Sequence, residues 1–80
     1  MQWRKFEQGT APEDDVFLMY VEGNVYFTRI IKGKFVMKMS YADAIAAERG
    51  SADVDVALYR WADRNVTPMW AHFHKPAVMR

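Results

Sequence analysis

The stretch Val16-Phe17-Leu18-Met19-Tyr20-Val21-Glu22-Gly23-Asn24-Val25-Tyr26-Phe27-Thr28-Arg29-Ile30-Ile31-Lys32-Gly33-Lys34-Phe35-Val36-Met37-Lys38-Met39 decides the fold. It contains three runs rich in β-branched and aromatic residues, separated by two glycine turns. Such runs favour a pleated strand, and short glycine turns between them favour hairpins, so the stretch reads as an antiparallel meander. Residues 16–21 are apolar at every position, which suits a central strand covered on both faces. Lys34 and Lys38 share one face with Val36, which places the third strand nearer an edge.

Upstream, Trp3 and Phe6 precede the turn Gly9-Thr10-Ala11-Pro12-Glu13-Asp14-Asp15. Both aromatics are expected to be pinned to the body of the domain. Downstream, Ser40 is a good N-cap and Asp43 suits the first turn of a helix. Tyr41, Ala44 and Ile45 form its apolar stripe, and Gly50 is the expected stop, giving a helix over 41–49. Val54, Val56 and Leu58 alternate with Asp53, Asp55 and Ala57, which reads as a half-exposed strand running on into Tyr59-Arg60-Trp61. Residues 66–73 read as a last strand with Pro68 at its start or edge, and Lys75-Pro76-Ala77 as the beginning of a tail. The expectation is a single α+β domain over residues 1–80. It has a small, twisted, mostly antiparallel sheet of about five strands, able to roll towards a barrel, and one short helix.

The totals narrow what such a domain can do. Eighty residues without cysteine cannot be stapled by disulfides, so aromatic packing or self-association must reinforce a small core. Five Phe, four Tyr, three Trp and six Met supply more apolar surface than one small core needs, which points to a homo-oligomer or a partner contact. No signal-peptide pattern or membrane span is visible, so a cytoplasmic setting is expected. The formal charge of +1 comes from interspersed Lys, Arg, Asp and Glu, with no basic block to favour nucleic acid.

Trp3, Thr10-Ala11-Pro12 followed by Asp14, an apolar strand with a turn at Gly23, and a late Val66-Thr67 before Trp70 and Pro76 form an ordered series. This order resembles a family of small phage and prophage proteins of unknown function. That family has an N-terminal Trp, a Thr-Ala-Pro-x-Asp-Gly turn, a β-meander, and a closing Thr-His-Trp with prolines. The resemblance covers residues 3–31 and 66–76. It departs at Asp15, where Gly is usual, at Pro68-Met69, which separates Thr67 from Trp70, and at His74, where a proline is usual. Residues 40–58 resemble an insertion. The resemblance implies a phage-type origin in a host cytoplasm, and structural roles for Trp3 and Trp70 as buried clamps on the sheet.

Side-chain chemistry does not point to catalysis. His72 and His74 share one face of an extended strand, a spacing that could supply two metal ligands. A third would have to come from elsewhere, Asp63 or Glu7 being candidates; the simpler reading is two solvated histidines and no metal. The clustered carboxylates Glu13, Asp14, Asp15 and Asp53, Asp55 sit in turns or on a solvent face. No nucleophile elbow, phosphate loop or dinucleotide fingerprint is present. No cofactor and no enzymatic activity are expected. The leading reading is an accessory or counter-defence protein that binds and blocks a host protein, or sequesters a nucleotide-like signal. The alternative is a single-stranded nucleic-acid binder using Tyr26, Arg29, Lys32, Lys34, Lys38, Arg60 and Trp61. In the leading reading the contact residues are Tyr26, Arg29, Tyr59, Arg60 and Trp61, since aromatic and Arg side chains dominate interface energy. On a strand, Tyr59 and Trp61 would share one face and Arg60 the other.

Overall fold

Both glycine turns of the meander are two-residue hairpin loops. In the computed structural model, which describes residues 2–13 and 15–74, Glu22 and Gly23 have φ of 51° and 85°, and Lys32 and Gly33 have 51° and 76°. Positive φ at both central positions is the type I′ turn, whose twist matches that of the flanking strands. Glycine tolerates this at the second position of each turn, while Glu22 and Lys32 carry some strain. The turns set the register of three strands: β2 (Phe17–Val21), β3 (Asn24–Ile31) and β4 (Lys34–Lys38). Phe17 stands opposite Thr28, and Thr28 opposite Met37.

The described residues extend this meander to a six-stranded antiparallel sheet. The short β1 (Arg4–Lys5) and β5 (Ala52–Asp53) form its edges, and β6 (Met69–His72) lies between β1 and β2. The sheet order is β1-β6-β2-β3-β4-β5. The sheet is open and does not roll into a barrel. Each edge strand is two residues long and carries charge, which blunts it against strand addition. As expected, β2 is central and β4 lies next to an edge strand. Phe6 is pinned: its amide donates to the Pro68 carbonyl at 2.8 Å, and its ring is buried. Pro68 immediately precedes β6, where its missing N–H costs no ladder bond.

Two helices cover the sheet, one on each face. Helix α1 (Tyr41–Ala46) begins as predicted, with Ser40 Oγ accepting from the Asp43 amide at 3.1 Å. It ends at Ala46, short of Gly50, because the chain turns extended at Ala47 (φ −67°, ψ 133°). Gly50 serves instead to let the chain pass β4, since a Cβ there would collide with the backbone and Cβ of Lys34.

The larger correction concerns residues 54–61. They form helix α2 (Val54–Asp63), where the alternation of Val54, Val56 and Leu58 pointed to a strand. Strand pairing next to β4 stops at Asp53, and the Val54 amide donates to the Gly33 carbonyl at 2.9 Å as the chain leaves the sheet plane. The stripe that then faces the sheet is Val54, Ala57, Leu58 and Trp61, at helical spacing i, i+3, i+4, i+7. The helix wins because one sheet face presents Phe17, Met19, Phe35 and Trp70, and only an amphipathic helix laid across it removes those side chains from water. Phe6 and Ala11 close the same core from the N-terminal arm.

Candidate functional site

The face opposite α2 is only partly roofed. Strand alternation and register place Leu18, Tyr20, Val25, Phe27, Arg29, Val36, Met69 and Ala71 on it. Helix α1 covers one end, where Ala44 is fully buried and Tyr41, Phe27 and Phe73 form a ring cluster with centroids 5.2–6.3 Å apart. Six residues of helix reach no further. At the other end Met69, Tyr20 and Val25 lie side by side across β6, β2 and β3, as successive cross-strand partners. Trp3 packs edge-on against Tyr20 at 5.9 Å. Tyr20 is 43% exposed and Val25 42%, and Trp3, Tyr20 and Met69 line an open depression of about 240 Å³. The result is an apolar row on a solvent-facing sheet, the kind of surface that marks a contact site.

The residues proposed from sequence fall elsewhere, and they do not converge. Tyr26 is half-buried beside the core under α2. Arg29 is engaged within the chain: its Nη1 donates to the carbonyls of Ala44, Ile45 and Ala47 at 2.9, 3.1 and 3.0 Å. These carbonyls end α1 and have no intrahelical donor, so Arg29 acts as its C-terminal cap. Tyr59, Arg60 and Trp61 do not alternate across a strand, because they lie on α2, where successive residues are 100° apart. Trp61 is half-buried with its ring 5.8 Å from that of Phe35, while Tyr59 is 74% exposed and Arg60 points to solvent. The residues suggested for nucleic acid are likewise divided. Arg29, Lys34 and Lys38 belong to one sheet face, and Tyr26 and Trp61 to the other.

The two clamping tryptophans behave differently. Trp70 is 2% exposed and packs edge-on against Phe17 at 5.9 Å. Its Nε1 is buried with no hydrogen-bond partner among the described residues, a cost of about 1–3 kcal/mol that ring packing must offset. Trp3 is only half-buried and sits on the opposite face, at the margin of the apolar row, so it is not a clamp.

His72 and His74 lie on the α2 side of the sheet at the β1–β6 edge, with ring centroids 6.1 Å apart. Among the described residues no three metal-binding side chains gather, and neither Asp63 nor Glu7 joins the pair. Asp14 and the tail from Lys75 lie outside the described residues. No helix among the described residues is long and apolar enough to cross a membrane.

Sequence reasoning missed Tyr20, Val25 and Met69 because nothing in a strand's own sequence distinguishes an apolar position that is covered from one left open. The available signal was the shortness of the helix after Ser40, which cannot shield a whole sheet face. Neither a family model, nor a curated protein, nor a solved structure matches the chain.

Proposed function

We propose that the chain is a non-catalytic binding protein that docks an apolar surface of a host protein through the open sheet face around Tyr20. The observation that carries this reading is the row Met69-Tyr20-Val25, flanked by Trp3 and left uncovered by α1. Tyr and Trp supply large contact area at low conformational-entropy cost, and Met adapts to the partner's shape. The blunt, two-residue edge strands favour the face over strand addition as the contact mode. The resemblance of the residue order to that of small phage proteins favours an accessory role in which occupying the partner's surface blocks it.

Photo-crosslinking in host cells tests this reading. A benzophenone side chain replacing Tyr20 should trap one host protein, and the same group at Tyr59, in the layer beyond the opposite face, should not trap it. Val25→Glu should abolish the Tyr20 adduct while leaving the melting temperature within a few degrees, as for an exposed substitution. Trapping of RNA or DNA with steep salt dependence would favour the nucleic-acid alternative and overturn this reading. A second copy of the chain as the only adduct would make the face a dimer contact and overturn it equally.

A further inference from the structure

At the β1–β6 edge, on the sheet face away from the apolar row, four side chains line one open cleft of about 210 Å³: Gln2, Arg4, His72 and His74. We propose that this cleft binds a small tetrahedral oxyanion of the sulfate or phosphate class, with affinity that rises as the histidines protonate. Strand geometry gathers the group. Arg4 stands opposite Trp70 in the β1–β6 register, and His72 follows two residues on, so both side chains stand on the Trp70 face. The Arg4 guanidinium lies over the Trp70 ring, 5.6 Å from its centroid, and the His72 ring packs edge-on against the same indole at 4.8 Å. Trp70 is thus a rigid, buried platform that orients both groups. Stacking on a ring face leaves the N–H edges of a guanidinium free to donate.

The chemistry of the lining points one way. An arginine and a glutamine amide donate at any ordinary pH, and each imidazole donates through both nitrogens once protonated. Among the described residues no carboxylate lines the cleft, and none of these four side chains has a hydrogen-bond or ion-pair partner. Across β2 the partner of His72 is Phe17, which is apolar. The acid nearest along that strand, Asp15, accepts from the Val16 amide at 2.8 Å. Arg4 is the only charged group facing the histidines from β1. Protonating both histidines therefore gathers three cations that no carboxylate among the described residues ion-pairs, and a bound anion relieves that repulsion. The clefts differ in this respect: the one at the other side of the sheet, with Lys32, Lys34 and Arg49, includes Glu48. The volume suits an oxyanion and falls short of the roughly 300 Å³ or more typical of larger small-molecule ligands.

The probe is sulfate, whose charge is constant between pH 5.5 and 8. Carbon-detected imidazole shifts of His72 and His74 should saturate with sulfate at pH 5.5, with affinity at least about tenfold weaker at pH 8, the worth of one charge-assisted hydrogen bond. Arg4→Gln should weaken binding by about tenfold at both pH values. In His72→Gln together with His74→Gln, sulfate binding followed by isothermal titration calorimetry should lose its pH dependence while the Tyr20 crosslink stays intact, so the two sites fail independently. Adenosine monophosphate should bind within about threefold of inorganic phosphate, because only the oxyanion enters the cleft; much tighter binding would overturn the size argument. Shifts that rise linearly without saturating, that chloride reproduces, or that are equal at both pH values would show adventitious ion association and overturn the proposal.

Discussion

Replacing Arg29 separates its structural role from the binding role that its sequence context suggests. Its Nη1 carries two hydrogens and faces three carbonyl oxygens, so two full bonds are available, one of them shared. A hydrogen bond to a charged group contributes about 1.5–3 kcal/mol net, and the lower end applies here because the Ile45 bond lies in an exposed setting. Arg29→Ala should therefore cost about 2 kcal/mol once solvent replaces part of the lost bonding. A domain of this length has a total stability of only about 4–12 kcal/mol, so the loss is readily measured. With a urea slope of about 1 kcal/mol per molar, the unfolding midpoint should fall by about 2 M. Arg29→Lys should recover roughly half of it, since an ammonium can reach a carbonyl but cannot present the planar fork. The assay is urea unfolding followed by far-UV circular dichroism and tryptophan fluorescence. If Arg29→Ala stays within about 0.5 kcal/mol of the parent while partner binding is lost, the capping argument is wrong and Arg29 belongs to an interface.

Two further substitutions probe the core and the helix. Trp70→Ala should cost about 3–5 kcal/mol and lower the thermal midpoint drastically, whereas Trp3→Ala should cost about 1 kcal/mol because its ring is half-exposed; equal costs in calorimetry would contradict the different burial of the two rings. Trp61→Ala should cost about 2–3 kcal/mol and Tyr59→Ala less than about 0.5, since α2 buries one and exposes the other; equal effects in chemical unfolding would restore the strand reading, which puts both on one face.

The meander was legible in residues 16–39 because its signals are local. β-branched and aromatic runs with glycine at the second turn position specify strands and type I′ turns without help from the rest of the chain. The start of α1 was legible for the same reason: Ser40 caps it through a bond three residues away. Its end was not, because the cap is Arg29, which arrives from another strand.

Residues 54–61 show what local pattern leaves open. Val54, Val56 and Leu58 satisfy a period of two, while Val54, Ala57, Leu58 and Trp61 satisfy a period of 3.6, and short segments of this kind fit both. The tie was broken by the exposed apolar face of the sheet, which needed a cover and found one in α2. The same cause decided the site. Composition alone showed that this chain carries more apolar and aromatic surface than a small core absorbs. Which part remains open depended on where two helices of unequal length come to rest, ten residues over one face and six over the other. That is a property of packed layers, and no residue in the row of Trp3, Tyr20, Val25 and Met69 carries it by itself.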